Sequence, residues 1–214
     1  MCGRFTLAAD TSLFKKQFPI STTLDFSLKR YNIAPSQSVP IIHLQDGNLS
    51  LTPMSWGLLP RWEAGVPPVR PINARLETLT FKPMFKRLFD QRRCLVPATG
   101  FYEWDGRIKP KQPYYFTTPG TALFAFAGLW DKKQDTDGQD FYSFAIITRP
   151  ASSSVSEIHD RMPVILKPEA YEAWLKDPSF RLLEHSSIEE FQYYPVSPRL
   201  NLVVNNDPDL IKPY

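Results

Sequence analysis

The sequence predicts an α+β fold: a single domain over residues 1–214, built on a mainly antiparallel, barrel-like β-sheet with short peripheral helices. Three observations carry this expectation. Strand-like runs rich in aromatic and β-branched residues dominate the chain and follow one another closely. The 214 residues hold 21 prolines but only 9 glycines, a balance that interrupts long helices and suits short strands joined by rigid loops. The few helical patterns are short and inserted among the strands, which is the order of an α+β domain rather than of a regular βαβ repeat.

Taken in order, "AADTSLFKKQF" reads as a short amphipathic helix, with Ala9, Leu13, Phe14 and Phe18 near helical spacing. "SVPIIHLQDGNLSLTPMSWGLLP" reads as a hairpin, because two β-rich runs flank the turn dipeptide Asp46-Gly47. "TFKPMFKRLFDQRR" is a basic amphipathic helix with Phe81, Met84, Phe85 and Leu88 facing inward. "CLVPATGFYEWDG", "QPYYFTT" and "ALFAFAGLW" form a meander of strands, and the apolar run "FYSFAIIT" is a strand suited to burial. "KPEAYEAWLKD" is a helix with proline near its first turn. "YYPVS" is a late strand, and "NNDPDLIKPY" holds a short helical turn. No repeat or low-complexity linker divides the chain.

Composition bounds the function. The net charge is +3, with 43% apolar and 22% charged residues, so a basic tail is excluded while a local cationic groove is not. No apolar run approaches the roughly 20 residues of a membrane helix, and the start lacks the pattern of a secretory signal. Two cysteines without such a signal indicate free thiols in a reducing compartment, cytosol or nucleus. No C-x-x-C, paired-histidine or Walker pattern occurs, so no metal and no cofactor is expected.

Four stretches carry candidate chemistry. "MCGRFTL" places Cys2 directly behind the start methionine. Trimming of Met1 would leave an α-amine and a thiol on one carbon frame, a 1,2-aminothiol. The amine, with a pKa of about 7.7–8.0, is partly neutral at physiological pH. It condenses with an aldehyde to a Schiff base, and the thiol then closes a thiazolidine ring. The competing structural reading is a frayed end; Phe5 and Leu7 argue against it, since they can tie the end into a sheet. In "INARLET", Asn73 and Arg75 are two apart and share a side if extended; Asn73 could hold the terminal amine by its amide oxygen and Arg75 a phosphate, or both could satisfy a polar loop. In "GFYEW", Glu103 lies between Tyr102 and Trp104. Desolvation there would raise its pKa and suit proton transfer, whereas strand periodicity alone favours an outward-facing residue. In "IHDRMP", His159 sits in a dense polar cluster beside a proline. His43 is expected at the surface, His185 in solvent, and Cys94 buried and inert.

Together these stretches resemble the SRAP family, the SOS-response-associated peptidase domain, which includes proteins that crosslink to abasic sites in DNA. "MCGRF", "RYNIAPSQ", "WGLLPRW", "INARLET", "RRCLVPATGFYEW", "IHDRMPVIL" and "NNDPDL" occur in the family's order and span nearly the whole chain. Thr99 departs from the aspartate usual in the family's "PADGFYEW". The resemblance implies that Cys2, freed of Met1, bonds covalently to the ring-opened abasic deoxyribose in single-stranded DNA, shielding the lesion with slow reversal. It implies that Asn73 orients the new terminus, Glu103 shuttles protons, and His159 assists opening of the sugar at O4′. Arg4, Arg75, Thr148 and Arg161 match positions used on phosphates, and Trp62 matches part of an aromatic wedge against flanking bases. The implied protein is a monomer without a membrane partner, cytoplasmic and nucleoid-associated if bacterial and nuclear if eukaryotic. The alternatives are an N-terminal-nucleophile thiol autopeptidase or amidohydrolase, which also needs Cys2, and a non-catalytic binding module in which Cys2 is incidental.

Overall fold

The structure is a computed structural model that describes residues 2–20, 27–62, 69–134, 137–177 and 179–214. Its strands are β1 (Phe5–Ala8), β2 (Lys29–Ile33), β3 (Ser38–Gln45), β4 (Asn48–Trp56), β5 (Asn73–Arg75), β6 (Arg93–Ala98), β7 (Gly100–Asp105), β8 (Gln112–Thr117), β9 (Phe124–Gln134), β10 (Asp140–Pro150), β11 (Arg161–Pro163), β12 (Ile165–Leu166) and β13 (Gln192–Pro195). The helices are α1 (Thr11–Gln17), α2 (Pro83–Gln91), α3 (Ser153–Ser156), α4 (Tyr171–Lys176) and α5 (Phe180–His185). Among the described residues no helix is long and apolar enough to cross a membrane.

β3, β4, β6, β9 and β10 form a closed ring of pairings. β4–β3, β3–β6, β6–β9 and β9–β10 run antiparallel, and a short parallel pairing of Ser143–Phe144 with Ser55–Trp56 shuts the barrel. The β3–β4 hairpin turns at Asp46 and Gly47, both at positive φ (51° and 78°), as a two-residue turn matched to the strand twist requires. β6, β9 and β10 are near-continuous apolar runs because the barrel interior takes one face and packed elements the other; α4 lies on β6, and Trp174 donates its indole N–H to the Cys94 carbonyl at 2.9 Å.

The second sheet, in the order β13-β8-β7-β1-β2, packs one face on the barrel. Phe5 meets Trp56 and Phe126 edge-on at 5.0 and 5.5 Å between ring centroids, and Phe101 stacks on Phe116 at 4.9 Å. The other face is not left to solvent. The C-terminal segment folds back over it, burying Tyr102 and Tyr115 with Val196, Leu200 and Leu210. β7 is thus covered on both sides.

Three expectations need correction. The strands from Cys94 to Trp130 are not one meander, because β6 and β9 pair with each other in the barrel while β7 and β8 pair in the second sheet. His43 is buried, not at the surface: its Nε2 lies 2.8 Å from the Thr52 hydroxyl and its ring 4.5 Å from that of Trp130. Phe81 is exposed, because α2 begins only at Pro83 and Phe81 precedes the turn that faces the core; Phe85, Leu88 and Phe89 fill it.

Candidate active site

β1 does tie the N-terminal end into the sheet. Phe5 pairs with Phe101, and the Tyr102 N–H donates to the Arg4 carbonyl at 3.0 Å. Cys2 is fully buried, its Sγ 4.0 Å from the Arg4 carbonyl oxygen. Met1 lies outside the described residues. Burial, followed by the charge of Glu103, pushes the Cys2 thiol well up from its ordinary value.

β5 brings Asn73 to the same place. It pairs in parallel with β10, Asn73 opposite Ile146, and the Asn73 amide nitrogen donates to the Cys2 carbonyl at 2.9 Å. The Asn73 side chain therefore grips the Cys2 main chain by its nitrogen. Its amide oxygen is buried and has no hydrogen-bond partner among the described residues.

Glu103, on β7, is 2% exposed. Desolvation raises its carboxyl from an ordinary 4.5 to about 7. His159 follows α3, and its Nε2 lies 3.7 Å from Glu103 Oε2. The other ring nitrogen, Nδ1, accepts the Arg161 backbone N–H at 3.0 Å and faces Asp160 Oδ1 at 2.9 Å. The first contact favours the neutral ring and the second the imidazolium. Burial decides between them, holding the histidine below its ordinary 6.5. The neutral ring then carries its proton on Nε2, directed at Glu103.

An open cavity of about 480 Å³ lies over these groups, lined by Gly3, Arg4, Glu103, Trp104, Lys111, His159 and Asn201. Gly3, the residue after Cys2, is part of its lining. Arg4 donates to the Asn32 side-chain oxygen at 2.6 Å and to the Leu200 carbonyl at 2.9 Å, with its guanidinium 5.8 Å from the Trp104 ring centroid. Arg161 forks onto Glu77 and donates to the Thr148 carbonyl at 2.8 Å. Thr148 is fully buried, its hydroxyl 3.3 Å from that guanidinium, so its side chain supports Arg161 and has no solvent-facing surface of its own. Arg75, opposite Thr148 in the β5–β10 register, is exposed.

Trp62 stands apart. It is 50% exposed under the Arg87 guanidinium, in a group where Asp131 accepts from the Arg61 backbone and pairs with Arg87 and Arg92. Asp131 lies opposite Ser143 on β10, five residues from Thr148, or about 17 Å along the strand. Lys111, Trp104, Asn201 and Asn32 were not among the candidate residues. Trp104 and Asn32 lie within the quoted stretches "GFYEW" and "RYNIAPSQ"; nothing local in the sequence marks Lys111 or Asn201.

Comparison with known proteins finds matches over nearly the whole chain. The sequence profile described as SOS response associated peptidase (SRAP) matches residues 1–203. The abasic site processing protein YoqW of Bacillus subtilis is 38% identical over 99% of both chains. YedK of Escherichia coli, with the same description, is 31% identical over 100% of both. HMCES of Xenopus tropicalis, also so described, is 35% identical over 84% of this chain and 64% of that protein. Among solved structures, a Bacteroides thetaiotaomicron protein superposes over 100% of both chains with a TM-score of 0.84 at 26% identity. A phage-related protein of Bordetella bronchiseptica gives 0.72 at 32% identity, over 91% of this chain and 94% of that one.

Proposed function

From the premise that this chain belongs to the SOS response associated peptidase family, we propose that it processes abasic sites in DNA, capturing the ring-opened deoxyribose of a single strand on Cys2 as a thiazolidine. The observation that carries this reading is the Cys2 main chain held by Asn73 beside a buried carboxyl that titrates near neutrality.

The chemistry balances without a cofactor. An abasic sugar is mainly a closed hemiacetal. His159 and Glu103, 3.7 Å apart, supply the proton relay that opens it, moving a proton from the C1′ hydroxyl to O4′. With Met1 removed, the neutral α-amine of Cys2 attacks the C1′ aldehyde. Glu103 in its acid form protonates the departing hydroxyl, water leaves, and a C=N bond remains. The Cys2 thiol then adds its sulfur to that carbon and its proton passes to nitrogen through the Glu103 carboxylate. Aldehyde and aminothiol become thiazolidine and water; reversal retraces the steps. A carboxyl titrating near 7 suits both duties, since acid and base forms are both populated at neutral pH.

The order of the nucleophiles follows from electrostatics. Burial and the Glu103 charge hold the thiol protonated, so the amine acts first and sulfur second. The same observation disfavours the thiol-peptidase alternative, whose first step requires a thiolate. Arg4 and Lys111 at the cavity and exposed Arg75 supply positive charge for phosphates without reading bases. Arg161 joins them by exchanging Glu77 for a phosphate, with Thr148 behind it.

Purified protein mixed with a single-stranded oligonucleotide carrying one natural abasic site tests the proposal on a denaturing gel. A shifted band from wild type that is absent from Cys2→Ala supports it; no band, or an equal band from the variant, refutes it.

A further inference from the structure

Val203 and Val204 occupy positions that backbone preference does not explain. Residues Leu202 to Asn205 form a turn closed by the Asn205 N–H on the Leu202 carbonyl at 3.1 Å. The two valines are its central residues, where Gly, Pro, Asn and Asp have a mechanism to be favoured and β-branched side chains have none. The side chains bury little in return: Leu202, Val203 and Val204 are 63%, 43% and 85% exposed. Yet the turn is tightly held. Asn32, buried on β2, shares its amide N–H groups among the carbonyls of Leu200, Leu202 and Asn205 at 3.2, 3.1 and 2.8 Å. Its oxygen accepts from Arg4, which also donates to Leu200. Asn205 donates to the Arg199 carbonyl at 2.6 Å, and Asn206 accepts the Tyr31 N–H at 2.7 Å.

We propose that the Leu202–Val204 tip is an apolar platform for the unpaired base next to the abasic nucleotide, on the Arg4 side of the cavity. The inference rests on the abasic-DNA reading of Cys2 and extends it to the neighbouring nucleotide. Continuity with the cavity carries it. Asn201, immediately before the turn, lines the cavity and accepts the Trp104 indole N–H at 2.9 Å, and Asn32 joins the tip to Arg4. A strand whose abasic sugar enters the cavity has lost a stacking partner on the lesion side of each neighbouring base. A fixed aliphatic surface beside the cavity covers such a bare base face without hydrogen-bond readout, hence without sequence preference. Because the turn is already ordered, the contact requires little further loss of conformational freedom.

The test is fluorescence anisotropy with a single-stranded oligonucleotide carrying a tetrahydrofuran abasic analogue, which has no aldehyde and so reports binding alone. Leu202→Ser/Val204→Ser is expected to weaken Kd about five- to tenfold, the lower range of base-stacking contacts. The slope of log Kd against log salt is expected to stay unchanged, because no phosphate contact is removed. On a second oligonucleotide whose two flanking nucleotides also lack bases, wild type and variant are expected to bind alike. Equal affinity on the first oligonucleotide overturns the proposal, as it would if the tip served a second copy or a protein partner. An equal loss on both oligonucleotides, or a reduced salt slope, overturns it as well. Val204→Ser alone, at the most exposed position, is the second variant should the double substitution lower the unfolding temperature. Crosslinking of a natural abasic strand by wild type, run in parallel, isolates the parent reading: its absence removes that reading, while intact crosslinking with unchanged variant affinity removes only the platform.

Discussion

Glu103→Gln should make the protein's stability less dependent on pH. In the fold the Glu103 carboxyl titrates near 7, against an ordinary 4.5, because it is desolvated. Between those two values the folded chain holds a proton that the unfolded chain releases. Stability from this group is therefore fully present below about pH 4.5 and is lost as pH rises through 7. At ~1.4 kcal/mol per pH unit the loss amounts to about 3 kcal/mol. His159 has the opposite sign: its folded pKa is lowered, so its contribution grows as pH rises toward the ordinary value. That contribution is shared by both proteins and largely cancels in their difference. Urea unfolding of wild type and Glu103→Gln, both with Met1 processing verified by mass, should thus give a stability difference that shifts in favour of the variant by about 2.5 kcal/mol between pH 5 and pH 8. Parallel curves across that range would refute the reasoning that Glu103 is a desolvated, near-neutral acid, and with it the proton-relay role.

Other perturbations test separate parts. Asn73→Ala removes the hydrogen bond to the Cys2 carbonyl; crosslinking on a denaturing gel should slow strongly, while calorimetry should show only about 1 kcal/mol of lost stability. Gly100→Ala would place a Cβ 2.3 Å from the Tyr115 ring and hydroxyl, and denaturant unfolding should record a loss of about 1–3 kcal/mol or more from overpacking. Asp131→Asn leaves Arg87 and Arg92 facing each other without the fully buried carboxylate between them; stability should fall by about 3 kcal/mol, readable as a lowered thermal midpoint.

Local pattern made most of the fold legible. The Asp46-Gly47 hairpin, α2, the separate strands β6 to β9 and the β10 run all follow from periodicity and turn chemistry that act within a few residues; the pairing of β6 with β9 across β7 and β8 does not. What stayed hidden depends on partners far along the chain. β7 alternates poorly because the C-terminal segment covers its second face, so periodicity could not reveal that Glu103 is buried. His43 looked like the polar residue of an alternating strand; its ring instead packs against Trp130 and reaches the Thr52 hydroxyl. Phe81 matched a helical stripe, yet Pro83 sets the helix start two residues later. The candidate site was partly legible, because the aminothiol chemistry needs a cysteine at one position only, and the four polar stretches stood out from scaffold. The family resemblance supplied the roles. Asn32 and the Leu202–Val204 turn were invisible, since a buried asparagine bridging three carbonyls and Arg4 is a purely tertiary arrangement.

The most direct measurement of the central claim is intact mass spectrometry of protein–abasic DNA mixtures, with and without borohydride, for three forms: wild type freed of Met1, Cys2→Ser, and a chain with an extra residue blocking the Cys2 amine. Wild type should give an adduct of protein plus DNA minus one water without borohydride; Cys2→Ser should give one only after reduction, as a trapped imine, and the blocked chain none without reduction. An unreduced adduct of equal yield from the blocked chain or from Cys2→Ser would contradict joint capture of the sugar by the terminal amine and its thiol.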